Sequence, residues 1–209
     1  DKIINLCNKL IQGCLQAGNY THALELTHKV LSLLPNSSID PGTTNFNKYF
    51  FLMTIVHVEI LFNIGAWEDC IDVGYSILNV MNQSNLEIMK PDYMSVEQFE
   101  SIVMDTIGYI ALTNILQLKG NVREFLNIIR SDFTNVPHGY DIFIALEEFM
   151  FGRVPQYDDS MLDNKFSVII YHILEAFTRC KHDYKLFAEE IYEAKLVAKA
   201  SHMLQIELF

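Results

Sequence analysis

The chain is poor in cysteine and proline. It contains four cysteines and five prolines among 209 residues, and no two cysteines form a CxxC pair. Cys7, Cys14, Cys70 and Cys180 therefore predict no disulfide framework. Cys7 and Cys14 are seven residues apart, so we expect them on one helix face as small buried hydrophobic groups. No signal peptide is visible, and together these features favour a reducing cytoplasmic or nuclear setting.

Charged residues and long apolar runs are also scarce. Only 20% of the chain is charged and 50% is hydrophobic, which predicts a sizeable core and leaves open whether a partner covers some apolar surface. The most apolar stretch, Tyr49 to Ile64, is interrupted by His57 and Glu59. It is shorter than the roughly 20 residues of a membrane-spanning helix, so no membrane span is predicted.

Basic residues are outnumbered. The chain has 15 lysines and arginines against 26 aspartates and glutamates, a formal net charge of −11. A nucleic-acid surface needs clustered Lys and Arg, so direct nucleic-acid binding is not expected. Between Glu87 and Asp159 there are 12 acidic and 5 basic residues. An ordinary solvated face and a docking surface for a basic partner both explain this acidic stretch.

Catalytic and metal-binding motifs are missing as well. No HExxH, GxSxG or GxxxxGK[ST] motif occurs, and these are the patterns that mark zinc, serine-nucleophile and phosphate sites. His57 and Glu59 are two apart and face different directions on a helix. His172 and Glu175 are spaced to meet, but their order is the reverse of that in dinuclear carboxylate sites. We expect no metal and no cofactor.

One cluster near a helix junction could suggest a nucleophile. Cys180, His182 and Asp183 lie within four residues, too close in sequence for a Cys–His dyad held on rigid elements. We interpret them as a helix cap with a solvated histidine. The chain is therefore predicted not to be an enzyme.

Helical periodicity, by contrast, runs through nearly the whole chain. Apolar residues recur at three- and four-residue spacing, as on a helix face. The pattern predicts an all-α fold of about nine helices, separated by breaks at 36–44, 83–93, 136–139, 152–159 and 181–183. Helices are expected at about 45–63, 67–81, 95–119, 140–151 and 162–180. A short helix is expected to follow Gly120 and reach residue 133, and another to run from 184 to the end. Ser95 with Gln98 has the spacing of a capping box.

Three short stretches resemble one another at the turns between these helices. Each begins with a glycine, which suits the closing turn of a helix. A larger residue two positions after the glycine can wedge into the turn. Three positions after that residue, the first two stretches have a small residue, which lets two helices approach. The stretches are Gly18–Leu24, Gly65–Ile71 and Gly120–Leu126.

The first stretch and the helix after it resemble a known family. Gly18, Tyr20, Ala23 and Pro35 stand at the spacing of the second half of a tetratricopeptide repeat. Ile11 stands where that family usually has a small residue, and the glycines are 47 and 55 residues apart against roughly 34 in the family.

Two looser copies follow. Gly65, Trp67 and Cys70 resemble a second copy, and Gly120 with Val122 a third, in which Phe125 takes the small-residue place. The resemblance covers roughly residues 3–132. We therefore expect TPR-like repeats over 1–132 and further helices over 133–209 that continue or cap the same solenoid. Because the chain starts at Asp1 and ends within an apolar pattern, it is expected to be a fragment of a longer protein.

The resemblance implies a concave groove lined by the first helix of each pair. The implied partner-binding residues are Asn5, Asn8, Gln12, Gln16, Glu59, Phe62, Asn63, Asn114 and Gln117, with Leu15, Leu52, Ile55, Ile107, Ile110 and Leu118 between them. Amide side chains can donate to and accept from an extended peptide backbone. Asn5, Asn8 and Gln12 could therefore clamp a peptide, or they could simply face water. Neither Asn8 nor Glu59 could grip a terminal carboxylate as basic residues do in the family's chaperone-tail binders.

The sequence thus favours a non-catalytic scaffold that binds a partner segment along a helical-repeat surface. Two alternatives stay open. The chain could be an obligate subunit of a large complex, similar to the helical subunits of signalosome or proteasome-lid assemblies. It could instead be a regulatory helical domain that docks on a catalytic domain of the same chain.

Overall fold

The computed structural model describes residues 2–36, 44–83, 89–117, 139–153, 164–180 and 182–208. Within these ranges the chain forms nine α-helices, one short 3-10 turn and no strand, which confirms the all-α prediction and the number of helices. The helices are α1 Lys2–Gln16, α2 Tyr20–Leu33, α3 Thr44–Ile64, α4 Trp67–Gln83, α5 Val96–Leu116, α6 Gly139–Met150, α7 Lys165–Thr178, α8 Tyr184–Ala200 and α9 Leu204–Leu208. The motif at Gly120, the helix expected to reach residue 133 and Leu118 lie outside the described residues.

The chain divides into two units, Asp1–Thr106 and Ile107–Phe209. In the first unit each helix packs against the next in sequence, from α1 to α4, and α1 also touches α3. The core of this unit is aliphatic and comes mainly from α1, α2 and α3. Its buried members are Ile4, Ile11, Leu15, Ala23, Val30, Leu34, Leu52, Met53, Val56 and Ile60.

The turns after α1 and α3 close with the same pair of backbone hydrogen bonds. The Gly18 N–H donates to Leu15 O and the Asn19 N–H to Cys14 O, at 3.0 and 2.8 Å. After α3, the Gly65 N–H donates to the carbonyl three residues back and the next N–H to the carbonyl five back, at 3.1 and 3.0 Å. This is the Schellman closure, which needs a positive φ at the glycine. Gly18 has φ 69° and Gly65 has φ 76°.

The residues that follow these glycines pack as their spacing predicts. The Trp67 ring meets Phe62 edge to face at 5.5 Å, so it fills the turn between α3 and α4. Ala23 and Cys70, the two small residues, are fully buried. The Cys70 thiol lies 3.7 Å from the Val58 carbonyl oxygen, which shows how closely α4 approaches the α3 backbone.

The predicted capping box is confirmed at the start of α5. The Ser95 N–H donates to Gln98 Oε1 at 3.1 Å, and the Gln98 N–H donates to Ser95 Oγ at 3.2 Å. These two bonds satisfy amide groups that a helix start leaves without intrahelical partners. They fix the point at which α5 begins.

In the second unit the main contact is between α7 and α8, and α6 packs on α7. Tyr109, on the part of α5 in this unit, meets Phe166 edge to face at 4.8 Å. A Cβ atom placed on Gly108 would overlap the Phe166 ring. Residue 108 must therefore be glycine for this ring to sit where it does.

The last predicted helix is wrong in one respect, because it ends at Ala200 and is followed by the separate α9. His202 adopts φ 56° and closes α8 with the same bonds as the glycine turns. Its N–H donates to Lys199 O at 3.3 Å, and the Met203 N–H donates to Ala198 O at 2.9 Å. The sequence does not mark this helix end, because there is no glycine at the position. Histidine is nevertheless among the residues that tolerate a positive φ.

All four cysteines lie within the described residues, and none forms a disulfide bond. Cys70 and Cys180 are buried, whereas Cys7 and Cys14 are half-buried against the core of the first unit. Burial, followed by the charges of Glu190 and Glu175, raises the pKa of the Cys180 thiol.

One helix among the described residues, α5, is long and apolar enough to cross a membrane by length and composition. Within its most apolar stretch, 72% is buried inside the protein. A core helix meets the same criteria. Residues 49–64, the stretch that looks most apolar in the sequence, belong instead to α3.

Candidate functional site

The amide residues of α1 occupy one side of that helix. Successive residues of an α-helix are about 100° apart, which groups Asn5, Asn8, Gln12 and Gln16 along one edge of the buried face. Gln16 is exposed and the other three are half-buried. We call these four side chains the amide row. It offers several donors and acceptors along about three turns of helix.

Asn8 is the amide in this row with the least ordinary surroundings. Its Oδ1 is buried and has no hydrogen-bond partner in the described part of the chain. Its side chain also acts on the Tyr93 hydroxyl as a hydrogen-bond partner, which lowers the Tyr93 pKa, while burial raises that pKa by more. A buried acceptor whose hydrogen bond is not made costs about 1–3 kcal/mol of stability.

Tyr93 belongs to a turn that the sequence pattern indicates only as a linker. Two lysines hold this turn in place. Lys48 Nζ lies 2.6 Å from Asp92 Oδ1, and Lys90 Nζ donates to Met94 O at 2.7 Å. The hydrogen bond from Lys48, with its charge, keeps the pKa of the exposed Asp92 below its usual range. The tyrosine is thereby fixed beside the amide row.

The residues implied for α3 are mostly inaccessible. Phe62 and Asn63 are buried, with 0% and 1% of their surface exposed, and Glu59 is half-buried. Asn63 Nδ2 donates to the Glu59 carbonyl oxygen at 3.0 Å. Because α3 packs against helices on several sides, Phe62 and Asn63 serve the core and are not available to a partner in this structure.

The same holds for most of the set implied for α5. Asn114 is 1% exposed, and its Nδ2 donates to the Ile110 carbonyl oxygen at 2.9 Å. Ile107 and Ile110 are fully buried. Gln117, at the end of the helix, is half-buried. Asn114 is therefore a core residue, and of this described set only Gln117 keeps an accessible side chain.

A second surface on α1 was not singled out from the sequence as a site. Ile3, Leu6 and Leu10 are 78%, 59% and 53% exposed. They lie on the far side of α1 from the amide row, across the buried face. We call these three side chains the apolar row. Their three- and four-residue spacing is visible in the sequence, but the apolar pattern joins them with Ile11 into one broad face, and the structure is needed to show that they are exposed.

The groups near Cys180 form a cap. Asp183 accepts hydrogen bonds from the Lys185 and Leu186 N–H groups at 3.0 and 3.2 Å, and His182 is exposed, as predicted. The raised pKa of the Cys180 thiol keeps it protonated at neutral pH, and a thiol is a poor nucleophile.

His172 and Glu175 do not pair with each other. His172 Nδ1 contacts Glu190 Oε2 at 2.7 Å, while Glu175 Oε1 contacts Arg179 Nη1 at 2.8 Å. Glu175 is buried and its Oε2 has no hydrogen-bond partner among the described residues. Burial raises the pKa of Glu175, and the Arg179 charge only partly opposes this.

No group of three or more His, Cys, Asp and Glu side chains within the described ranges is placed to hold a metal ion. The candidate site that remains is α1, with the amide row and Tyr93 on one side and the apolar row on the other. Comparison of the chain with protein-family models, with curated proteins and with solved structures finds no match.

Proposed function

We propose that this chain is a non-catalytic protein–protein interaction module that binds an extended segment of a partner along the amide row of α1. The observation that carries the proposal is the row itself. It places four amide side chains, one exposed and three half-buried, along one side of a helix. An amide group offers both a donor and an acceptor, and in Asn8, whose oxygen is buried, the NH₂ group is the one open to a partner. Backbone groups of an extended peptide present the same alternation of donors and acceptors.

The surroundings of Asn8 support this choice of surface. Asn8 has a buried carbonyl oxygen with no hydrogen-bond partner among the described residues, and asparagine is a poorer helix former than alanine. Stability alone therefore does not explain an asparagine at this position. Tyr93 adds a large side chain with a polar end, the type of residue enriched at interfaces.

The test begins with selection of peptides from a random displayed library on the immobilised whole chain. The tightest peptide is then titrated against wild type and the Asn8→Ala/Gln12→Ala double variant. We expect the double variant to keep its helical circular dichroism and to bind at least about tenfold more weakly, the equivalent of about 1.4 kcal/mol.

A matched control is available on the other side of the same helix. The Ile3→Ser/Leu6→Ser/Leu10→Ser variant changes the apolar row and leaves the amide row intact. It should bind the selected peptide as wild type does. If the amide variant binds as well as wild type, or the library yields no binder, the peptide-clamp proposal is contradicted.

The apolar row favours a second candidate, an obligate subunit of a larger complex. Exposed apolar patches mark surfaces that other proteins cover, and this row exposes three large side chains in succession. An obligate subunit would retain a stoichiometric partner through a high-salt wash, since apolar contacts are not screened by salt. The apolar-row variant would release that partner, whereas the amide variant would keep it.

A further inference from the structure

Two histidines from neighbouring helices meet in the first unit. His28 lies on α2 and His57 on α3, and these helices pack against each other. The two Nε2 atoms are 3.1 Å apart. The ring planes are perpendicular, with centres 4.8 Å apart. The two histidines are 29 residues apart in the sequence, so no local motif predicts the contact.

These two distances can be compared with those expected for two rings that share one metal ion. Nitrogens that share one zinc ion at roughly 2.05 Å, with an angle of about 98° at the metal, lie about 3.1 Å apart, with ring centres about 4.8 Å apart. A straight N–H···N hydrogen bond of the same length along both ring axes would place the centres about 5.4 Å apart. The observed separations fit two nitrogens that converge on a point beside them, and the same 3.1 Å contact is also within hydrogen-bond distance.

Imidazole nitrogens are common ligands of transition-metal ions. Asp69 is near enough for its charge to act on the His57 ring. It lies in the first turn of α4, next to Cys70, whose thiol approaches the carbonyl of Val58.

We propose that His28 and His57 form a binding site for a divalent transition-metal ion of the class that imidazole prefers, such as Zn²⁺, Ni²⁺ or Cu²⁺. The two rings supply two nitrogen ligands, and water supplies the rest, because no third protein ligand is in place within the described ranges. An ion held there joins α2 to α3. It adds a second link between two helices that otherwise meet mainly through apolar side chains.

The test uses the whole chain freed of metal and titrated calorimetrically with ZnCl₂ or NiCl₂. We expect one ion per chain, and His28→Ala should weaken binding at least about tenfold, or by about 1.4 kcal/mol. His28 is exposed, so its removal does not threaten the fold. Zinc should raise the melting temperature of wild type and leave that of His28→Ala unchanged.

His22→Ala is the matched control, because it removes an exposed histidine of the same helix that pairs with Glu25 instead. It should bind zinc as wild type does, and MgCl₂ should not bind to any variant. With Cu²⁺, the electron paramagnetic resonance spectrum should show coupling to two nitrogens in wild type and to one in His28→Ala. Equal zinc affinity of wild type and His28→Ala, equal losses in the His28 and His22 variants, or no binding by wild type would each overturn the proposal.

Discussion

α1 and α3 stand at the same place in two helix pairs that close with the same turn, yet their environments differ. Residues 47 apart correspond when Gly18 is aligned with Gly65. On that alignment the half-buried Asn8 matches the buried Ile55, and the exposed Gln16 matches the buried Asn63. Positions at the same distance from the closing glycine are therefore accessible in α1 and buried in α3.

The difference comes from the neighbours of each helix. α3 packs against α2 and α4 and touches α1, so nearly all of its circumference is covered. α1 packs on α2 and touches α3, which leaves room for both the amide row and the apolar row. The closing motif fixes how a pair turns, whereas accessibility is set by which helices lie on either side.

The sharpest test of this contrast removes one side chain from each corresponding position. Ile55→Ala should lower the free energy of unfolding by about 2–5 kcal/mol, the range for aliphatic-to-alanine changes in a core. Asn8→Ala should leave it within about 0.5 kcal/mol, because the gain in helix propensity offsets the loss of the hydrogen bond to Tyr93. Urea denaturation monitored by circular dichroism measures both, and similar losses in the two variants would contradict the assignment of α1 as surface.

A second test makes one substitution at two helical glycines. Gly108→Ala should cost about 1–3 kcal/mol, because the new Cβ overlaps the Phe166 ring and the core must shift. Gly13→Ala on α1 should gain about 0.5–1 kcal/mol from helix propensity, since nothing lies within 4 Å of the added carbon. Thermal melts of both variants should show shifts of opposite sign, and a gain for Gly108→Ala would mean that the ring is not packed there.

A third test compares amides that the sequence pattern places in one class. Asn114→Ala should cost about 1–2 kcal/mol, because a buried side chain bonded to the Ile110 carbonyl is lost. Gln12→Ala on α1 should change stability by less than about 0.5 kcal/mol, as surface substitutions usually do. If Gln12→Ala proved the more costly, the amide row would be structural.

The last prediction concerns the pH dependence of stability and the buried carboxyl group of Glu175. Burial raises the folded-state pKa of Glu175 above its ordinary value of 4.5, so the folded state holds its proton at pH values where the unfolded state has released it. Wild type should then lose stability relative to Glu175→Gln as the pH rises from 4.5 through the raised pKa, by about 1.4 kcal/mol for each pH unit between the unfolded-state and folded-state pKa values. Unfolding titrations of both proteins at several pH values measure this, and parallel pH profiles would contradict it.

The sequence predicts local features of this fold well. Gly18 and Gly65 close helices, Trp67 and Ala23 pack at the turns, and Ser95 caps α5, because each depends on bonds between residues close in the chain. The binding set was less predictable. Asn63 and Asn114 looked like surface amides, but each donates to the carbonyl four residues earlier, which helps a buried amide to meet its hydrogen-bonding needs.

Contacts between separate helices could not be predicted from the sequence, because they join residues that are far apart in the chain. The turn that carries Tyr93 lies beside α1 only after the chain has folded. His28 and His57 meet because α2 and α3 pack in a particular register. The end of α8 at His202 depends on a backbone conformation that histidine adopts less often than glycine.

The unequal burial of the four thiols offers a native reporter. Cys7 and Cys14 lie half-exposed on α1, whereas Cys70 and Cys180 are buried. A thiol-reactive fluorophore at neutral pH should therefore label α1 first, because reaction requires access to the sulfur. The dye would then sit on the helix whose binding role is proposed, and peptide capture or docking of a second protein could be followed by its emission without any engineered residue.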